Sequence, residues 1–258
     1  MAAVESAPIV LHADKEHSGI RVTIFVTLFL AYLLFFQLLI WSLERFAPPS
    51  LVDYSVFLAC FGAAPFALLV IWALEKYLKR VWHSGLSISL NQQGMSILHR
   101  RQAPQDVEAE EPAISWAETF NQISWYFRLS GYPRGGRERR LPAKWLCLAT
   151  EFQQNDSRLN VFTFMPPAQA ELWTREPANE FRLINPAELY ENSFRSRIGP
   201  PSRPDIPNRL LQSKEGRHWL AERRRWEDGI ELAPEDFDTL MRFTKMHLYR
   251  ENTPSGRS

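Results

Sequence analysis

Two long uncharged stretches near the start of the chain, Val22–Leu43 and Val56–Leu74, dominate its hydrophobic pattern, with a short polar connection between them. The first is built from Leu, Ile, Val and Phe, and Gln37 is its most polar residue; the second carries Gly62 and Pro65 in its interior. At about 1.5 Å of rise per residue, each predicts a helix able to cross a hydrocarbon core of about 30 Å. Interior Gly and Pro are better tolerated in lipid-embedded helices than in soluble ones. A secretory signal is a poor match, because its apolar region runs about 7–15 residues and precedes a small-residue cleavage site. Here the first run leads instead into Trp41-Ser-Leu-Glu-Arg45. The connection Glu44–Ser55, with Pro48 and Pro49, is too short for a domain, so the pair predicts an antiparallel hairpin. Gln37 and the small residues Gly62, Ala63 and Ala64 are candidates for helix packing within or between chains.

Beyond Arg80 the pattern changes to alternation. Leu86, Ile88 and Leu90 alternate with Ser87 and Ser89, Asn91-Gln-Gln-Gly94 supplies turn chemistry, and Met95–Arg101 resumes an extended pattern. This predicts a β-hairpin. Gln102–Pro112 is polar and acidic and reads as a loop, after which Ile114–Trp116 begins another strand. Ile123, Trp125, Phe127 and Leu129 alternate strictly with Ser124, Tyr126 and Arg128, the pattern of a half-buried strand. A turn over Gly131–Arg140 leads to two extended runs, Trp145–Phe152 and Leu159–Phe164, joined across Gln153–Ser157. Short, regularly punctuated strands predict an antiparallel sheet closing into a small barrel or two packed sheets. Near the end, Pro234, Glu235 and Asp236 open a helix and Lys245, His247 and Arg250 complement its other pole. Phe237, Leu240, Met241, Thr244 and Leu248 form one stripe along it, suited to packing on the sheet.

The chain therefore divides into a mobile lead (1–19), a helical hairpin (20–80), a β domain (81–167), a Pro- and Arg-rich segment (168–233), a terminal helix (234–250) and a disordered tail (251–258). Within 168–233, short helices are predicted at Pro186–Arg197 and Ile206–Asp228. The fold class is a membrane α-helical hairpin followed by an α+β domain.

Two apolar helices, the pattern Leu86-Ser-Ile-Ser-Leu-Asn-Gln-Gln-Gly-Met-Ser-Ile97, then Ile114-Ser-Trp116 and Val161-Phe-Thr-Phe-Met-Pro-Pro167 resemble bacterial YcxB-like membrane proteins with a pleckstrin-homology-like (PH-like) domain. The resemblance covers Leu86–Pro167 and the terminal helix. It implies a seven-stranded roll capped by a C-terminal helix and attached to a membrane hairpin, with no enzymatic residues to carry over. The chain departs from it by inserting Ala168–Ala233 before that helix.

Charge adds topology. Lys15 and Arg21 precede the first span, Arg45 alone lies in the connection, and Lys76, Lys79 and Arg80 follow the second. Basic residues favour the cytoplasmic side, so both termini are expected there, in a multi-pass protein of the bacterial inner membrane. Trp41, Tyr54, Tyr77 and Trp82 fall near the expected interfaces. A net charge of +1 over 258 residues argues against a dedicated nucleic-acid binder.

Candidate chemistry is sparse. The two cysteines, Cys60 and Cys147, lack metal-ligand spacing. His12 and His17 read as solvated, and His83, His99, His218 and His247 are scattered, so no enzyme, metal or cofactor is expected. Two basic clusters remain. The second helix of the inserted segment carries Lys214, Arg217, Arg223, Arg224 and Arg225 beside Trp219 and Trp226, a composition suited to a membrane surface. Glu215, Glu222, Glu227 and Asp228 dilute it and fit a solvated helix packed through its tryptophans. The other cluster, Arg134, Arg137, Arg139 and Arg140, sits in the turn between strands, where anionic headgroups are one ligand. The expected partners are the bilayer, a protein partner and a second copy of the chain. The expected role is a protein-binding or scaffold module, with anionic-lipid sensing as the alternative.

Overall fold

Each of the two apolar stretches forms a single helix. The computed structural model describes residues 8–14, 18–82, 84–99, 113–132, 134, 136–175, 181–189 and 204–251, excluding the side chains of Ser18, His99, Arg137, Tyr249, Arg250 and Glu251. The chain forms two compact units, Asp14–Ser84, and Met1–Ala13 together with Gly85–Ser258. Lys15, His17, His83, the acidic loop, the tail beyond Glu251 and the predicted helix beyond Leu189 lie outside the described residues.

In the first unit, α1 (Ser18–Phe46) and α3 (Ser55–Val81) flank a one-turn helix, α2 (Pro49–Val52). Both long helices are long and apolar enough to cross a membrane. They pair through small residues. Ser55, Ala59, Ala63, Ala67 and Ile71 recur every four positions on α3 and are its buried face, so the two backbones approach closely. A Cβ added at Gly62 would meet Leu39 Cδ1 at 3.1 Å, so glycine suits this close approach. Across the pair Phe35 stacks on Phe66 at 5.5 Å, and the Tyr32 hydroxyl donates to the Cys60 carbonyl oxygen at 3.2 Å.

The second unit holds two sheets. In the first, β1 (Ile9–His12), β2 (Leu86–Leu90), β3 (Gly94–His99) and β4 (Ile114–Ser115) form an antiparallel meander. Ile9–His12 of the lead are therefore a strand, where the sequence reading has the lead mobile. Ile9 pairs with Leu90 and His12 with Ser87, and Leu11 and Ala13 are buried in the core. The reason is non-local: an isolated four-residue strand has no stability of its own, and its partner lies beyond both helices. At the β2–β3 turn, Asn91 Oδ1 accepts from the backbone N–H groups of Gln93 and Gly94, both at 2.8 Å. Trp116 Nε1 donates to the Asn91 carbonyl at 2.9 Å, tying β4 to that turn.

The second sheet is a meander of β5 (Asn121–Arg128), β6 (Leu146–Gln154) and β7 (Ser157–Met165), extended at both edges. Asn155 adopts a positive φ of 49° in the tight β6–β7 turn, which asparagine tolerates. The edge strands β8 (Phe181–Leu183) and β9 (Ile230–Glu231) run parallel to β5 and β7. Both belong to the segment read from sequence as a helical insertion. That segment also supplies α4 (Pro167–Thr174), a 3₁₀ turn at Pro186–Glu188, α5 (Asn208–Leu211) and α6 (Gly216–Asp228). The single helix predicted over Ile206–Asp228 is thus broken after Leu211; Gly216, at the start of α6, has no room for a Cβ against the Leu211 carbonyl.

Two cores follow, one on each face of the second sheet. One joins Leu11, Ile88, Leu90 and Met95 of the first sheet to Leu148, Phe152 and Val161 of the second. The terminal helix α7 (Pro234–Glu251) completes it with Phe237, Leu240 and Met241. The other gathers Trp125, Phe127, Cys147, Ala149 and Phe164 under Ile184, Leu210, Trp219 and Ala221 of the inserted segment. Strand β5 is therefore covered on both faces, where its alternation predicts half-burial, because the insertion forms a third layer.

Candidate binding surface

Consecutive residues on a helix are rotated by about 100°, so Arg223, Arg224 and Arg225 leave α6 in three directions. Arg225 points inward and is buried. Its Nε and Nη2 donate to Glu222 Oε2 and Oε1 at 2.8 and 2.9 Å, and Nη2 also reaches Glu138 Oε1 at 2.9 Å. Both carboxylates are buried too, and each has a further donor: Trp125 Nε1 to Glu222 Oε2 at 2.9 Å, and the Tyr132 hydroxyl to Glu138 Oε2 at 3.1 Å. The guanidinium lies 4.6 Å from the Phe162 ring and 5.4 Å from that of Phe127. Burial, with the Glu138 carboxylate next, raises the Tyr132 phenol, so it keeps its proton and serves as a donor. Burial likewise pushes the Cys147 thiol well above its ordinary value, leaving it neutral and unreactive.

Arg224 runs along the sheet. It grips Glu151, on the same face of β6 as Cys147 and Ala149, through two bonds of 2.6 Å, Nε to Oε2 and Nη2 to Oε1. Glu151 is fully buried. Arg223 faces outward and pairs with Glu227 one turn on, at 3.2 Å. One bidentate, charge-assisted contact, Arg224 to Glu151, thus fastens α6 to the sheet, and the single Arg225–Glu138 bond ties it to the β5–β6 loop.

The loop between β5 and β6 is held by the same network. Glu138 belongs to a 3₁₀ turn, Gly136–Arg140, and Arg134 Nη1 donates to the Glu138 and Leu141 carbonyls at 3.1 and 2.7 Å. Arg134 is thus spent on the loop itself. Arg139 and Arg140 are exposed, as are Arg128 at the end of β5 and Lys144 just before β6. Among the described residues none of these four makes an ion pair. The Arg137 side chain lies outside the described residues.

On α6, Arg217 is exposed, and on its outer side Leu220 is 40% exposed and Trp226 is 39% exposed, with exposed Arg223 between them. Trp219 is buried in the second core. A cavity of about 120 Å³ beside this face is lined by Leu189, Ile206, Trp219 and Trp226, with Glu222, Arg223 and Glu227 at hand. Of the residues singled out from sequence, the structure leaves Arg217, Arg223 and Trp226 exposed on α6 and Arg139 and Arg140 exposed on the loop. It turns Trp219, Arg224 and Arg225 inward. Sequence reasoning did not single out Glu138, Glu151, Arg128 or Lys144 as site residues, and read Glu222 only as diluting the charge of the helix. Glu151 carried a usable signal, since a carboxylate within Leu146-Cys-Leu-Ala-Thr-Glu-Phe152 needs a cation when that strand is central. Among the described residues no group of His, Cys, Asp and Glu side chains could hold a metal ion.

No known family, curated protein or solved structure matches the chain.

Proposed function

We propose that this is an integral membrane protein whose sheet domain is a protein-binding module held at the bilayer, recognising its partner through the outer face of α6. One observation carries this reading: Leu220, Arg223 and Trp226 stand exposed on a helix that Arg224 and Arg225 fasten to the sheet and to the β5–β6 loop. Exposed aromatic, aliphatic and Arg side chains on a rigid support have the composition of an interface centre. The domain is read as a PH-like roll. In support, β1–β4 and β5–β7 are consecutive antiparallel meanders followed by a C-terminal helix, with the membrane hairpin lying between the first and second strands.

The topology follows from the same connection. Since β1 pairs with β2, the chain leaves and rejoins one sheet across the hairpin, which supports an even number of crossings and both ends on one side. Arg21, Lys76, Lys79 and Arg80 against Arg45 alone favour the cytoplasm as that side, and hence the bacterial inner membrane. A photo-crosslinking residue placed at Leu220 or Trp226 in native membranes is expected to give a discrete protein adduct. The same residue at exposed Leu172, on α4, is expected to give none. Equal or absent labelling at all three positions would remove the support for α6 as the recognition face.

A second reading, contact with anionic headgroups, is favoured by the exposed cations Arg128, Arg139, Arg140 and Lys144 at and beside one pinned loop, none of them ion-paired among the described residues. Each cation near an anionic leaflet contributes about 1 kcal/mol and is screened by salt. In nanodiscs of anionic lipid, amide exchange over residues 136–145 is expected to slow relative to zwitterionic nanodiscs. High salt or the Arg139→Glu/Arg140→Glu pair is expected to abolish the difference. Identical exchange in both lipids would end this reading.

A further inference from the structure

The face of α1 turned away from α3 is apolar except at one position. Val26, Leu30, Leu34, Leu38 and Trp41 are exposed there, and Gln37 stands exposed among them. The Gln37 amide, with two N–H donors and a carbonyl acceptor, has no hydrogen-bond partner among the described residues. In water this would be unremarkable. In hydrocarbon an amide without partners costs several kcal/mol of transfer free energy. Gln37 lies two helical turns inside Glu44, roughly 10 Å along the axis, and its side chain is too short to carry the amide out to the headgroups.

Leu30, Leu34, Gln37 and Trp41 are spaced four, three and four residues apart, the repeat that keeps one seam of a helix facing a parallel neighbour. The chain does not use this seam itself. Its own helix pairing consumes the Ala59, Ala63, Ala67 and Ile71 face of α3 and Ala31 of α1.

We propose that this face of α1 is a self-association seam, through which two copies of the chain pair their Gln37 amides across Leu30, Leu34 and Trp41. A second copy is the occupant because an amide is complementary to itself, each carbonyl accepting from the other N–H. Two identical chains inserted in one orientation also hold Gln37 at the same depth without further selection. A single polar residue in an otherwise apolar seam sets register. The proposal rests on the membrane-spanning reading of α1.

Disulfide crosslinking of the full-length protein in native membranes tests it, with single cysteines introduced on a Cys60→Ala background. Leu30→Cys and Leu34→Cys are expected to give a covalent dimer in several-fold excess over Phe25→Cys, which is exposed but off the seam. Adding Gln37→Leu is expected to weaken association about three- to thirty-fold, the range for interhelical polar contacts in membranes, while Gln37→Asn retains most of it. Equal crosslinking at all three positions, an unchanged dimer in Gln37→Leu, or adducts to a different protein at Leu34→Cys would each overturn the seam. Alkaline carbonate extraction is run in parallel on every variant. Release of the wild-type chain would overturn the membrane reading and the seam with it; retention with no dimer overturns the seam alone.

Discussion

Replacing Arg225 with leucine is expected to lower the stability of the sheet domain by about 3–5 kcal/mol, the range for breaking a buried ion pair from one side. The loss has little to do with the strength of the pair itself. Arg225→Leu keeps much of the apolar stem but leaves the Glu138 and Glu222 carboxylates in a buried site, without the cation between them. Trp125 and Tyr132 each donate a hydrogen bond to one of them, and a neutral donor does not replace the guanidinium's charge. Urea unfolding of the full-length protein in detergent, followed by tryptophan emission, measures the effect. The internal control is Arg223→Leu, whose exposed partner Glu227 makes a pair of at most about 0.5 kcal/mol. The same variant is expected to speed amide exchange over Gly136–Leu141, because Glu138 is the loop's buried anchor. Equal midpoints for the two variants would mean that the network does not hold α6 and the loop together.

Leu11→Asp is expected to be comparably damaging, by about 3 kcal/mol or more, since burying a carboxylate without a cation adds to the loss of a core leucine. Leu11 is 3% exposed and belongs to the core that joins both sheets. Val10→Asp, one residue away on the same strand, is the comparison. Val10 is 43% exposed, so its change should stay within about 0.5 kcal/mol. Successive strand residues face opposite ways, so the contrast tests the pairing of β1 with β2 and not the mere presence of a lead. If both variants unfold with the wild-type midpoint, the lead is not a strand of the sheet. If both are equally damaged, the register is different. The pairing also has a consequence for assembly: β1 is made first but can join the sheet only after the whole hairpin and β2 have followed it.

These two sites mark where sequence reading works and where it stops. Trp125, Phe127 and Leu129 announce a strand by their alternation, and Phe237, Leu240, Met241 and Thr244 announce the buried face of a helix by their spacing. The Asn91–Gly94 turn is legible because its side-chain chemistry is local: the Asn91 oxygen bonds its own loop. Arg223, Arg224 and Arg225 look alike in sequence, and a composition argument sends all of them to a membrane surface. Helical rotation and four different carboxylates separate them. Glu151, the partner of Arg224, stands 73 residues earlier in the chain. Nothing near either residue records that pairing.

By itself, the sequence determined the two long apolar helices, their short connection, the antiparallel strands that follow and the terminal amphipathic helix. Each of these rests on a sum over neighbouring residues, whether transfer free energy along an uncharged run or periodicity along one face. Only the tertiary structure decided that Ile9–His12 is a strand of the first sheet, that the insertion supplies both edges of the second sheet and a third layer, and which arginines turn inward. Those outcomes depend on partners brought together by folding, Ile9 with Leu90, Ser124 with Phe181, Arg225 with Glu138, and a contact between distant residues leaves no period in the chain.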